Sequence, residues 1–173
     1  IASLSYVMTP RVSALTSIGS DRVAGEILAV AGIATLVAAP MAVTFVIRGE
    51  SFITLWMGSA YGLASGEVLR LLAVVVWLEA AGSVVIHTLM GMGKQSVLIP
   101  GVAAAAACKL ALSVALVRPL GIVGVALGTL IPSVLMNCAY IPRCLSNAAG
   151  VPVALFYRRA LLLPTVACVP FAL

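Results

Sequence analysis

Residues 74–96 read VVVWLEAAGSVVIHTLMGMGKQS, an apolar run that contains the ionisable residues Glu79 and His87 and reaches Lys94 at its end. The run has the length of a membrane helix, since about 20 apolar residues span the ~30 Å hydrocarbon core of a bilayer. An ionisable side chain in hydrocarbon costs about 3 kcal/mol or more, so it usually faces a partner or a water-filled cavity. The segment therefore predicts a membrane helix in which Glu79 has a polar neighbour.

The composition of the whole chain also indicates a membrane protein. Of the 173 residues, 63% are hydrophobic and 9% are charged, and the mean hydropathy is +1.22. Soluble domains carry about 25% charged residues. We therefore expect an all-α fold, a polytopic transmembrane helix bundle, because a helix satisfies its own backbone hydrogen bonds in lipid.

Apolar runs separated by short polar connections predict four complete spans and a partial span at each end. Residues 1–9 resemble the end of a helix and lack the features of a signal peptide. Another helix begins near residue 160 and stops early, so we expect the chain to be part of a longer protein. Pro40 predicts a kink in the first span. The complete spans are predicted at 24–47, 67–91, 97–117 and 121–142.

The distribution of lysine and arginine predicts the orientation of these spans. Connections at one end hold six basic residues and connections at the other end hold three. The richer end is expected to be cytoplasmic. The six are Arg11, Arg22, Lys94, Arg143, Arg158 and Arg159, and the three are Arg48, Arg70 and Arg118.

Glu79 and Lys109 are predicted to lie at the same depth in neighbouring helices. Each lies 12 residues from the predicted cytoplasmic end of its span, at Gly91 and Val97 respectively. At 1.5 Å per residue this is roughly 18 Å, close to the middle of the membrane. The short loop between the spans makes them antiparallel neighbours, so Lys109 is the candidate partner of Glu79.

Two interpretations of this pair remain open. The pair is either a structural contact that fixes the register of two helices, or part of a charged cavity that meets an anionic substrate or a coupling ion. Ser83 and His87 follow Glu79 at spacings of four and eight residues, so they share its helical face. The candidate cavity residues are therefore Glu79, Lys109, Ser83 and His87.

Other classes of function find little support in the sequence. The basic residues are scattered singly apart from Arg158 and Arg159, which argues against a nucleic-acid partner. The four cysteines form no C-x-x-C motif. One histidine and five acidic residues include no H-E-x-x-H or D-x-D pattern, so we expect neither an enzyme nor a metal or other cofactor.

Four segments carry a resemblance to a known group of proteins. In sequence order they are MTPRVSAL (8–15), RGESFITLWMGSAY (48–61), GMGKQS (91–96) and RPLGIVGVALGTLIPSVL (118–135). Their order and spacing, across about residues 1–140, are similar to those of the C-terminal lobe of oligosaccharide flippases. These flippases belong to the multidrug/oligosaccharidyl-lipid/polysaccharide exporter superfamily.

The resemblance implies that the chain is about half of a two-lobe transporter. Residues 1–146 would be helices of the C-terminal lobe, and 147–173 a connection and the start of a further helix. The implied substrate and partner is an undecaprenyl-diphosphate-linked oligosaccharide, flipped across the bacterial inner membrane by alternating access for polysaccharide or lipopolysaccharide biosynthesis. The other implied partners are the lipid bilayer and an N-terminal lobe of the same protein, absent from this chain.

Two alternative functions remain open at the level of sequence. A multidrug or ion-coupled antiporter of the same superfamily would share the architecture. A structural membrane subunit without transport activity would also fit, with the Glu79 and Lys109 pair serving only helix packing.

Overall fold

The structure is a computed structural model and describes residues 20–168. The predicted first partial helix and the segment MTPRVSAL lie outside the described residues. Within residues 20–168 the chain is almost wholly helical and contains no strand, which confirms the all-α prediction. The helices are α1 (Ser20–Met57), α2 (Gly62–Gly91), α3 (Gln95–Leu135), α4 (Ile141–Ala149), α5 (Val153–Phe156) and α6 (Leu163–Cys168).

Three of the helical stretches are long and apolar enough to cross a membrane: Ala24–Met57, Ser65–Gly91 and Gln95–Ala149. The last covers α3, a π-helical stretch at Met136–Tyr140, and α4. Its 55 residues far exceed the about 20 that one crossing needs. The described residues therefore form an all-α fold with three helical stretches long and apolar enough to span a membrane. The part played by this bundle in a larger transporter stays a prediction.

Helix α3 reverses direction at Gly121, whose φ of 59° and ψ of −136° are not helical. A Cβ atom on Gly128 would come within 2.6 Å of the backbone nitrogen of Ser113, and one on Gly124 would meet the Leu116 carbonyl. In a straight helix Ser113 and Gly128 would be about 22 Å apart. Gly121 therefore divides α3 into two antiparallel limbs, the first limb before it and the second limb after it. They match the third and fourth predicted spans.

Helix α1 contains a break at Arg48, where φ is −114° and ψ is 18°. The kink at Pro40 stays a prediction, since Pro40 lies within the helix and the non-helical backbone is at Arg48. Proline lacks the N–H that would bond to the carbonyl four residues earlier. That carbonyl, of Leu36, instead lies 3.9 Å from the thiol sulfur of Cys168, which donates to it.

The predicted connection between the first two spans is largely helical. Helix α1 continues to Met57, a 3₁₀ turn covers Ser59–Tyr61, and α2 begins at Gly62. Glycine allows the two helices to approach closely here, because a Cβ atom on Gly66 would lie 2.8 Å from the Cα atom of Glu50. Trp56 and Tyr61 are both exposed at this end of the bundle, the position expected for interfacial aromatic residues.

The buried core joins α1, α2, α4 and the helical stretch after residue 152. Phe156 is its largest fully buried side chain and packs with residues such as Ile27, Val84 and Leu145. The first limb of α3 contributes little to this core, since most of its apolar side chains are exposed. In a membrane protein such a surface faces lipid or another helix.

The loops and helix ends give each end of the bundle a distinct set of charges. The Lys94 Nζ atom, in the loop between α2 and α3, donates a 2.8 Å hydrogen bond to the Ala148 carbonyl at the end of α4. Arg48 and Arg70 lie in the halves of α1 and α2 that are nearer the 3₁₀ turn, and Arg118 lies just before the reversal at Gly121. Lys94 and Arg143 are therefore at one end of the bundle and the three arginines are at the other, as the alternation of spans predicts.

Candidate functional site

Glu79 of α2 and Lys109 of the first limb of α3 form an ion pair. The Lys109 Nζ atom lies 3.0 Å from the Glu79 Oε1 atom. Lys109 lies 12 residues before the reversal at Gly121 and Glu79 lies 12 residues before the end of α2 at Gly91. The two groups therefore meet near the middle of their helices, and the structure brings together the two residues that the sequence placed at matching depth.

A third side chain, Ser133 of the second limb, joins the pair. Its hydroxyl donates a 3.1 Å hydrogen bond to the same Glu79 Oε1 atom, and the serine is fully buried. The carboxylate of Glu79 is thus held by side chains from both limbs of α3. A sequence signal for Ser133 exists, because Ser133 and Lys109 lie equally far from Gly121 on opposite limbs.

The ion pair is only partly buried by the described residues. The side chain of Lys109 is 34% exposed and that of Glu79 is 46% exposed. Charged groups in the middle of a membrane face the inside of a bundle or a water-filled cavity, since contact with hydrocarbon is unfavourable. The exposed side of the pair therefore requires a polar environment beyond the helices that hold it.

A cavity of about 260 Å³ opens beside the pair, between α2 and the two limbs of α3. Its polar lining residues come from all three helical segments, and its remaining walls are apolar side chains such as Val102 and Met136. The polar lining residues are Glu79, Ser83, Lys109, Ser133 and Asn137. The cavity thus combines one cation, one anion and several hydrogen-bonding groups within an apolar shell.

The other two predicted site residues extend the polar face of α2. Ser83 lines the cavity, and its hydroxyl donates to the Ala80 carbonyl at 3.0 Å. His87 lies one turn further, with Nδ1 at 2.8 Å from the Ser83 carbonyl, and is not among the residues that line this cavity. Because a carbonyl oxygen only accepts, Nδ1 carries the proton in this contact. The structure therefore places Ser83 with the pair and His87 outside the cavity.

Asn137 lines the same cavity from the π-helical stretch that continues the second limb beyond Leu135. Its Nδ2 atom donates to the Ser133 carbonyl at 2.9 Å, and its Oδ1 atom occupies the space where a Cβ atom of Gly82 would lie. Single π-helical turns often occur at functional sites because they redirect side chains. Here the π turn places the Asn137 amide against Gly82 of α2, where any side chain larger than a hydrogen atom would leave no room for it.

The arrangement can bind an anionic group. A lysine ammonium has three N–H donors, and the contact to Glu79 uses one of them. The contact with Glu79 also fixes the direction of the Lys109 side chain before any ligand arrives. Within residues 20–168 no three histidine, cysteine or acidic side chains come together as metal ligands.

In comparisons with known proteins, the chain matches no protein-family model, no curated protein and no solved structure. The family resemblance of its four motifs therefore stays an expectation from sequence.

Proposed function

We propose that this chain is one helical bundle of a two-lobe membrane transporter that flips a lipid-linked oligosaccharide. The transported molecule would be linked to undecaprenyl diphosphate and would cross the bacterial inner membrane by alternating access. The observation that carries this proposal is the half-exposed Glu79–Lys109 pair beside a cavity in the middle of the helices.

The exposure of the pair supports a transport cavity over a simple packing contact. A pair that served only to lock two helices together would need close mutual contact and further hydrogen bonds on every side to repay its desolvation. Glu79 and Lys109 instead keep 46% and 34% of their side-chain surface open on one side. A central cavity filled with water, between this bundle and a second lobe, would supply the polar surroundings that these groups need.

The chemistry of Lys109 supports an anionic substrate. Its ammonium group has donors beyond the one used by Glu79, and phosphate or sugar carboxylate oxygens are acceptors for them. Ser133 and Asn137 add hydrogen-bonding groups on the facing wall. A diphosphate or an acidic sugar of the glycan would thus meet the Lys109 cation and neutral polar groups in one place, beside the Glu79 carboxylate that Lys109 already pairs.

The structure gives a physical reason for the glycines in three of the motifs that carry the resemblance. Gly58, Gly93 and Gly121 all adopt positive φ, of 95°, 70° and 59°, at successive chain reversals. Such backbone conformations favour glycine strongly. The motif glycines therefore serve the turns of the bundle, and they support the proposal only through the resemblance of the motifs themselves.

Deleting the gene that encodes this chain tests the proposed function. We expect loss of a surface glycan together with accumulation of its undecaprenyl-linked precursor in the cytoplasmic leaflet, with both restored by the cloned gene. The precursor is measured by lipid extraction and mass spectrometry, and the glycan by gel electrophoresis of surface polysaccharide. Unchanged glycan and precursor with greater drug sensitivity would favour the multidrug antiporter instead.

A structural subunit is the second candidate, and the position of Glu79 favours it in one respect. The carboxylate accepts hydrogen bonds from both limbs of α3, so it ties three helical segments together. A protein that used this contact only for assembly would need the pair but no substrate. The charge-removal experiment that closes the Discussion separates the two candidates.

A further inference from the structure

A second cavity, larger and almost wholly apolar, lies between the two limbs of α3. It has a volume of about 450 Å³, and we call it the α3 slot. The slot is lined by Gly101, Ala104 and Cys108 on the first limb and by Ile131, Pro132 and Tyr140 on the second, among others. Small side chains on the first limb create the space. Ala104, Cys108 and Ile131 are exposed, so the slot opens outward from the bundle.

Contacts between the limbs close the slot at both ends, so its mouth is the opening along its side. At one end the Tyr140 hydroxyl donates a 2.6 Å hydrogen bond to the Val97 carbonyl, and the Tyr140 ring covers Gly101. At the other end Gly128 packs directly against the backbone of Ser113. The hydroxyl of Tyr140, one of the few polar groups in the lining, is therefore already paired within the protein.

The length of the slot matches one leaflet of a bilayer. Along the first limb it extends from Gly101 to Leu112, which is about 16 Å at 1.5 Å per residue. Half of the hydrocarbon core is about 15 Å thick. Because Lys109 lies near the middle of its limb, most of the slot lies between that level and the end of the bundle that carries Lys94.

Two exposed cations flank, in sequence, the residues Val97 and Tyr140 that close the slot on the Lys94 side. Lys94 precedes Val97 by three residues, and Arg143 follows Tyr140 by three residues. Basic residues at a membrane surface attract anionic lipid headgroups, each by about 1 kcal/mol. The slot therefore has an apolar shaft in the hydrocarbon region and positive charge at its interfacial end.

We propose that the α3 slot binds one acyl chain of an anionic glycerophospholipid from the leaflet on the Lys94 side. The shaft has the length of a single leaflet and a closed far end, which suits an acyl chain. A polyprenyl chain is far longer than this shaft. The slot shares Ala105 and Met136 with the charged cavity, so a lipid bound there also stiffens one wall of that cavity. This inference does not require the proposed transport function.

Photocrosslinking of the full-length protein in lipid nanodiscs tests the proposal. The probe is phosphatidylglycerol with a diazirine in the middle of one acyl chain, in a phosphatidylcholine background. We expect crosslinked peptides from 101–112 and 131–140. Ala104→Phe should lower their yield about tenfold, because its ring fills the space that the chain needs. Ala107→Phe is the matched control, since Ala107 is exposed on the same limb but does not line the slot.

The charge at the Lys94 end of the slot is tested with the same assay. Replacing the probe by its phosphatidylcholine counterpart should lower the yield, and Lys94→Gln should reduce the preference for phosphatidylglycerol about fivefold. If Ala104→Phe does not fold, Cys108→Phe fills the slot from the next turn. Equal crosslinking of unaltered and slot-filled protein would overturn the proposal. Crosslinking by a photoreactive polyprenyl phosphate but not by phosphatidylglycerol would overturn it as well.

Discussion

The carboxylate of Glu79 accepts hydrogen bonds from two side chains on different limbs of one helical hairpin. Its position therefore depends on three helical segments at once, and each of them is held by close contacts of small residues. Lys109 and Ser133 reach the same oxygen because Gly128 lets the limbs approach backbone to backbone. Uncharged small residues such as Gly128 therefore make the contact between Glu79 and Lys109 possible.

Gly82 provides the sharpest test of this packing at the level of one residue. In Gly82→Ala the new methyl group would occupy the position of the Asn137 Oδ1 atom, and Asn137 is held by its bond to the Ser133 carbonyl. We expect a loss of stability of about 1–3 kcal/mol, as for other overpacked sites. Thermal unfolding of the purified full-length protein in detergent measures it.

Gly25→Ala is the matched control for that substitution. A Cβ atom on Gly25 would meet no atom of residues 20–168 within 4 Å, and Gly25 is also within a helix. The helix propensity of alanine should therefore leave stability unchanged or raise it by up to about 1 kcal/mol. Equal effects of the two substitutions would show that the contact between Gly82 and Asn137 is not constrained.

Some of this site follows from the sequence and some does not. Counting residues from helix ends predicts that Glu79 and Lys109 meet, because helical rise converts sequence distance into depth. The same count from Gly121 would have found Ser133. The role of Asn137 was not predictable, because it depends on a π-helical turn that no spacing of apolar residues reveals. His87 shares the helical face of Glu79 yet lies outside the cavity, because that face of α2 is longer than the cavity.

The helical hairpin of α3 depends on the backbone of Gly121. Its φ of 59° and ψ of −136° lie outside both the right-handed and left-handed helical regions, and essentially only glycine tolerates such values. Gly121→Asn should therefore destabilise the protein by about 1–3 kcal/mol. Thermal unfolding and the amount of protein in the membrane fraction measure this effect.

Gly150 supplies the control for the hairpin. It ends α4 with φ of 68° and ψ of 12°, a left-handed conformation that asparagine adopts more readily than other residues. Gly150→Asn should have the smaller effect of the two. A larger loss of stability for Gly150→Asn than for Gly121→Asn would contradict the importance of the reversal at Gly121.

At the level of helices, the sequence predicts membrane-spanning segments better than their ends. Long apolar runs identify the four spans because the bilayer sets their length. The region 48–66 is polar enough to read as a connection, yet it is mostly helical, since its glycines let α1 and α2 pack together beyond the apolar run. No sequence signal marked the break at Arg48. At Pro40 the Cys168 thiol bonds the carbonyl of Leu36 that the proline leaves free.

The two ends of the whole bundle carry different numbers of basic residues, and this predicts its orientation. Lys94 and Arg158 should be cytoplasmic, and Arg48 and Arg118 should face the periplasm. Single cysteines at these positions, in a cysteine-free full-length protein, are labelled with a membrane-impermeant thiol reagent on intact spheroplasts. Labelling at positions 48 and 118 is expected. Labelling at position 94 without labelling at position 48 would contradict this orientation and indicate the opposite one.

The central claim is that Glu79 and Lys109 line a cavity that a substrate enters. Glu79→Gln and Lys109→Met each leave one charge unpaired inside the membrane, so each alone should lower the amount of protein. The double variant removes both charges and should recover normal abundance. Leu110→Met is the matched control, because Leu110 is exposed on the same limb and carries no charge.

The role of the pair is decided by measuring surface glycan and protein abundance together. Both are measured in cells whose chromosomal gene carries each variant. If Lys109 contacts an anionic glycan lipid, the double variant should be as abundant as the unaltered protein and yet export little or no glycan. Normal surface glycan from an abundant double variant would contradict the cavity and leave the pair as a contact between helices.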